Sequence, residues 1–312
     1  MGFFAITFPG QGSQSVGMLA GLAESFTIVR DTFDEASDAL GSDLWKLSQN
    51  GPAEDLNRTR NTQPAMLSAG VAVWRVWIAQ GGPMPALMAG HSLGEYTAMV
   101  ASGVIDFADA VKLVAERGRL MQEAVPQGTG AMAAILGLED DSVRQICSEA
   151  AQGEVAAAVN FNSPGQVVIA GNAAAVARAI ELAKAAGAKR ALPLDVSVPS
   201  HCALMTGAAD ELYAQMQGMQ FRSPSVRVIH NVNVDNSDDV GQIKQLLREQ
   251  LFSPVRWVET VQAIAREGAA TLIEAGPGKV LSGLCKRIDK NLNALPVLDG
   301  ATLEKALEAV NG

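Results

Sequence analysis

No run of apolar residues in this chain reaches the roughly 18–20 that a membrane-spanning helix needs. A membrane-embedded protein is therefore not expected. The N-terminus lacks a basic region ahead of its short apolar stretch, which argues against a secretory leader. Cysteine is scarce: Cys147, Cys202 and Cys285 are odd in number and lack metal-ligand spacing. Free thiols in a reducing cytoplasm follow as the simplest account, with no metal site. Positive charge is in deficit, 24 Lys and Arg against 33 Asp and Glu, and the net charge of −9 argues against nucleic-acid binding as the main activity. A local basic patch is still allowed. Internal repeats and low-complexity linkers are missing, and only three histidines occur, His91, His201 and His230.

What the chain does contain is a core. Hydrophobic residues make up 48% of its 312 positions and charged residues 18%, enough for one large domain or two. The organising stretch runs Leu87-Met88-Ala89-Gly90-His91-Ser92-Leu93-Gly94-Glu95-Tyr96. Apolar residues lead into Gly90-x-Ser92-x-Gly94, and a helix-compatible run follows. That is the layout of a nucleophile elbow, a strand and a sharp turn carrying a serine ahead of a helix. Ser92 would sit at a helix N-terminus, where free N–H groups favour developing negative charge.

Upstream, Met1 to Phe8 reads as a first strand, entering the turn Phe8-Pro9-Gly10-Gln11-Gly12-Ser13-Gln14 and a helix near 16–22. The turn has neither G-K-[ST] nor the third glycine of a dinucleotide fingerprint, so a backbone turn lining an active site fits better than a phosphate loop. Helical patterns follow at about 27–40, 43–49 and 62–80, with Trp74 and Trp77 read as core. In the helix 106–123, Ala110, Val114, Arg117 and Met121 share one face, while Arg119 points elsewhere. An inward arginine needs an anionic partner. A structural ion pair and a ligand carboxylate both satisfy that need.

Beyond Gly128 the order reads strand 131–136, helix 140–151, strand 155–160, strand 166–170, helix 173–186 and strand 189–194. This βαββαβ order is the ferredoxin-like unit. It predicts an α/β chain whose large domain, 1–127 and 198–312, carries a small inserted domain over 128–197. His201 lies where a loop becomes a helix just after that insertion. His91 adjoins Ser92 and would point to the opposite face. His201 is therefore the favoured base, with His230, at the end of an apolar strand, the alternative. Helices at 239–251 and 256–267, a strand at 270–274 and a last glycine turn, Gly276-Pro277-Gly278, close the reading.

These motifs, with Asn160-x-Asn162-Ser163-Pro164-x-Gln166 and Pro199-Ser200-His201-Cys202-Ala203-Leu204-Met205, occur in an order that closely resembles the malonyl-CoA:acyl carrier protein transacylases. Those are the stand-alone acyltransferases of bacterial fatty-acid synthesis, and the resemblance spans essentially the whole chain. It implies an α/β-hydrolase-like large domain with a ferredoxin-like insertion. It further implies Ser92 as nucleophile, His201 as base, and the backbone N–H groups of Gln11 and Leu93 as oxyanion hole. Arg117 would hold the malonyl carboxylate, a main-chain carbonyl near Gln250 would orient His201, and Asn160 and Asn162 would lie near the site. Malonyl-CoA and acyl carrier protein are the implied partners. Transfer between thiols through a seryl ester needs no metal, redox cofactor or nucleotide.

A serine hydrolase such as a thioesterase shares the elbow, and Asp195 falls between Ser92 and His201 in the order such a triad uses. A non-enzymatic scaffold is a third reading. For docking an acidic carrier protein, Lys189, Arg190, Lys279, Lys286 and Arg287 are the candidate basic positions, and an ordinary solvated face is the other account of them.

Overall fold

The computed structural model describes residues 3–196 and 198–311. Met1 and Gly2, included above in the first strand, and residue 197, the expected end of the insertion, lie outside the described residues. The chain is a mixed α/β fold with one parallel and one antiparallel sheet.

Among the described residues nine strands carry it: β1 Phe4–Phe8, β2 Leu87–Gly90, β3 Gly130–Leu136, β4 Ala156–Ser163, β5 Gln166–Asn172, β6 Arg190–Pro193, β7 Arg227–Ile229, β8 Thr271–Ala275 and β9 Asn293–Val297. The five-stranded sheet has the order β7-β2-β1-β8-β9, and every pairing in it is parallel. Its central strands are buried at every position, so they read as mostly apolar runs without polar alternation, broken by the buried Thr7, Thr271 and Glu274. Alternate residues still go to opposite faces. Phe4, Ile6, Phe8 and Met88 join the larger core with the helices Thr27–Leu40, Thr59–Ala79 and Phe107–Glu123. Ala5, Leu87 and Ala89 face a second core with Trp257 and Leu281. Trp74 and Trp77 are core residues, as their pattern predicts.

The four-stranded sheet has the order β4-β5-β3-β6 and is antiparallel throughout. The helices Asp140–Ala151 and Ala173–Ala185 cover one face, burying Ile135, Val143, Val167 and Val176 among others. The opposite face presents Met132, Val159, Val168 and Ala170 to Cys202. Strand β4 also meets the other part of the chain: Phe161 N donates to the Val255 carbonyl at 3.0 Å and Val255 N to that of Val159 at 2.8 Å. This joint, beside a register shift in β4, holds Asn160 against the cleft described below.

Some boundaries differ from the sequence reading. The helix expected near 16–22 begins at Ala20, after Gly17 and Leu19 take left-handed backbone angles that a helix cannot include. The helix expected over 62–80 starts at Thr59, because the Arg58 carbonyl accepts from Asn61 N at 2.7 Å and Thr62 N at 2.8 Å. Strand β9 and the last helix, Gly300–Asn311, were not anticipated.

Candidate active site

The carboxyl ends of neighbouring β1 and β2 deliver the two glycine turns to one place, the edge where parallel sheets bind ligands. Ser92 leaves β2 with φ 52° and ψ −110°, a conformation costly for a serine, and caps the helix Leu93–Ala101. Its surroundings fix that geometry. A Cβ on Gly90 would fall into the backbone of Gly94, and one on Gly94 into the Phe8 carbonyl. Ser92 N donates to Asn231 Oδ1 at 2.8 Å, and Asn231 Nδ2 to the Gly90 carbonyl at 2.6 Å, so a single asparagine braces the turn from both sides.

His201 reaches the same point from the loop before the helix Thr206–Gln217, beside the sheet face that packs on Cys202. Its Nδ1 donates to the Gln250 carbonyl at 2.7 Å, and its Nε2 lies 2.8 Å from Ser92 Oγ. Because a carbonyl only accepts, the ring proton sits on Nδ1 and leaves Nε2 free to accept from the hydroxyl. Burial, and next the Arg117 charge, pull the His201 pKa down to about 3. The ring is thus held neutral.

Arg117 is 1% exposed and lies on the buried face of the helix Phe107–Glu123, with Ala110, Val114 and Met121. Its Nη2 donates to Gln250 Oε1 at 3.0 Å and lies 3.4 Å from Ser92 Oγ. The guanidinium carbon stands 5.2 Å from the centre of the Tyr96 ring. Burial lowers the arginine's pKa and pushes the Tyr96 phenol up to about 12. No carboxylate pairs with this guanidinium among the described residues. Arg119, by contrast, pairs with Glu116 on the surface.

A cleft of about 740 Å³ opens over Ser92, His201 and Arg117, and Gln11, Leu93 and Asn160 also line it. Among the described residues the backbone N–H groups of Gln11 and Leu93 have no acceptor, so both remain available to a ligand oxygen. Asn162 instead pairs through Oδ1 with His91 Nε2 at 2.8 Å, and burial lowers the His91 pKa. His230 is fully buried, its Nδ1 donating to Glu95 Oε1 at 2.7 Å. Glu95, Asn231 and the side chain of Gln250 are the site residues that sequence reasoning missed. Glu95 follows Ser92 by three positions, directly after the elbow, the one signal that could have marked it. Among the described residues no group of three or more His, Cys, Asp and Glu is arranged to hold a metal, and no helix is long and apolar enough to cross a membrane.

A serine, a neutral histidine and an unpaired arginine in one cleft are parts for transferring an acidic acyl group. The family described as the acyl transferase domain matches residues 6–297. The chain belongs to that family. A malonyl CoA-acyl carrier protein transacylase of Salmonella typhimurium is 60% identical over 304 residues, covering 97% of this chain and 98% of its own. The enzyme so named from Coxiella burnetii superposes with a TM-score of 0.99 at 49% identity, over 100% of this chain and 98% of that one. A malonyl-transacylase solved in complex with the acyl-carrier protein of a type II PKS gives a TM-score of 0.97 at 58% identity, covering 98% and 99% of the two chains.

Proposed function

We propose that this protein transfers a malonyl group from malonyl-CoA to the phosphopantetheine thiol of acyl carrier protein, through a malonyl ester on Ser92. One observation carries the residue assignment: Ser92 Oγ is shared by His201 Nε2 at 2.8 Å and Arg117 Nη2 at 3.4 Å.

The steps follow from this geometry. Arg117 binds the free carboxylate of malonate, the anion its buried charge lacks, and so sets the thioester carbonyl over Ser92. His201 Nε2 takes the hydroxyl proton as Oγ attacks. The carbonyl oxygen becomes an oxyanion facing the N–H groups of Gln11 and Leu93. The tetrahedral centre collapses, the carbon–sulfur bond breaks, and His201 returns the proton to the departing CoA thiolate. The carrier thiol then repeats the sequence in reverse, with the Gln250 carbonyl keeping His201 in the productive tautomer throughout. No net redox change or phosphate cleavage occurs, so the transfer needs no cofactor. Asn160 lines the acyl cavity, and Asn162 supports the elbow through His91.

The architecture we read as an α/β-hydrolase-like domain, 1–127 and 198–312, with a ferredoxin-like insertion over 128–197. The β3 to β6 order and the βαββαβ succession support it. The carrier protein would dock on the exposed Lys189, Arg190, Lys279, Lys286 and Arg287. A cytoplasmic location suits the three free, buried thiols. Hydrolysis fits less well, since Asp195 lines the cleft but makes no bond to His201. Incubation with malonyl-CoA and no acceptor should add one malonyl group to the intact mass, mapped to Ser92, and carrier protein should remove it. Release as free malonate at the same rate without carrier would make the protein a thioesterase.

A further inference from the structure

Arg117 and His201 meet at a single residue. Gln250 closes the helix Val240–Gln250 and is fully buried. Its main-chain carbonyl accepts from His201 Nδ1 at 2.7 Å and its Oε1 from Arg117 Nη2 at 3.0 Å. Its Nε2 donates to the Ser92 carbonyl at 3.0 Å and to Glu95 Oε2 at 2.7 Å. The oxygen and both N–H groups of the amide are in use. Such an amide can face either way unless a neighbour decides. Here Glu95 and the Ser92 carbonyl decide together, with Glu95 the shorter and charged contact. Both can only accept, so they hold Nε2 and leave Oε1 to the guanidinium.

Glu95 is itself sealed, at 0% exposure, between His230 Nδ1 at 2.7 Å and Asn231 N at 3.1 Å. No direct ion pair joins it to Arg117 among the described residues. The Gln250 amide stands between the two buried charges, its dipole aligned by both. We propose that Glu95 is a positioning residue for donor selection: by fixing the Gln250 amide, it holds the Arg117 guanidinium beside Ser92. This role rests on the transacylase reading and deepens it.

In a Glu95→Ala variant Nε2 keeps the Ser92 carbonyl but loses its shorter, charged acceptor, so the amide is held from one side only and the guanidinium bonded to its Oε1 shifts with it. Malonyl donors suffer. Acetyl donors, which have no carboxylate to place, do not suffer by this route. The ratio of kcat/KM for malonyl-CoA over acetyl-CoA should fall roughly tenfold or more, the scale of one hydrogen bond to a charged group. Glu95→Gln should recover most of that ratio. Its carboxamide oxygen can still accept from Gln250 and Asn231, while its NH2 faces His230 Nδ1 once that ring carries its proton on Nε2. A role confined to holding the fold would lower both donors together. Folded Glu95→Ala with a ratio within about twofold of wild type overturns the proposal. If Glu95→Ala does not fold, Gln250→Leu decides in the same assay, because it removes the amide and keeps the carbonyl that orients His201. An unchanged ratio there also overturns it. Malonyl-Ser92 formation by the wild type, measured alongside, separates the two failures. Its absence sinks the transacylase reading and this role with it; its presence with unchanged ratios sinks only the positioning role.

Discussion

Two buried histidines approach the elbow, and their surroundings differ in kind. His230 has the carboxylate partner that a serine hydrolase gives its base, Glu95 at 2.7 Å, yet no serine hydroxyl bonds to it among the described residues. His201 has the serine, and its partner is the uncharged Gln250 carbonyl. A carboxylate would stabilise an imidazolium permanently. A carbonyl fixes the tautomer and adds no charge. Beside a buried arginine that difference matters, because a second carboxylate here would compete with malonate for Arg117. The carboxylate of this site lies one amide away, where it orients Gln250 without neutralising the guanidinium.

The largest effect should come from exchanging the fates of these two rings. Ser92→Ala should abolish the acyl-enzyme, and His201→Ala should cut turnover by on the order of 100-fold or more. His230→Gln keeps a donor for Glu95 and should lose roughly tenfold at most, the scale of one neutral hydrogen bond. Single-turnover acylation by malonyl-CoA, followed by intact mass, gives both numbers. Near-normal acylation in His201→Ala with collapse in His230→Gln would break the comparison.

Next in size is the charge beside the base. Malonyl and acetyl thioesters share the reacting carbonyl and differ in a free carboxylate. Arg117→Ala should therefore lose most malonyl transfer while keeping acetyl transfer. Losing such a partner costs ~2–5 kcal/mol, or roughly 30-fold to several thousand-fold in preference. Arg117→Lys should restore part, since it keeps the charge without the planar fork. Parallel loss toward both donors in a folded Arg117→Ala would make the residue structural and place the carboxylate elsewhere.

Much of this site is legible from local pattern. Ser92 follows from strand, turn and helix, and Arg117 from its spacing with Ala110, Val114 and Met121, all of which are buried. His201 emerges because few histidines compete. The Gln250 carbonyl was available only through family resemblance, since a main-chain atom leaves no residue-type signal. The Glu95 network was not legible at all. Its bonds join residues 135 and 155 positions apart, and the packing of the helix Leu93–Ala101 against the end of β7 and the helix ending at Gln250 brings them together. Strand β9 escaped for a different reason. Pro296 interrupts its apolar run, which is tolerated because β9 is an edge strand that, among the described residues, pairs with β8 alone.

The smallest effect concerns protons. Burial and Arg117 hold His201 at a pKa of about 3 in the folded protein, against the ordinary histidine value of 6.5. Between those values the unfolded chain takes up a proton that the folded chain refuses, so stability falls as pH drops from 6.5 toward 3 and is unaffected by this group above 6.5. His201→Asn removes that contribution. Its denaturation midpoint should therefore drop less between pH ~7 and pH ~4.5 than that of the wild type. The same shift bears on rate. A ring already neutral should give acylation that is flat from pH ~6 to ~8, without a midpoint near the ordinary histidine value. Malonate bound to Arg117 offsets part of the charge that depresses the ring, so imidazolium forms more readily in the substrate complex than in the free enzyme. Arg117→Ala should accordingly move the acid limb of acetyl-CoA acylation to higher pH, because the second cause of the depressed pKa is gone. A limb that stays in place would show that burial alone sets the base.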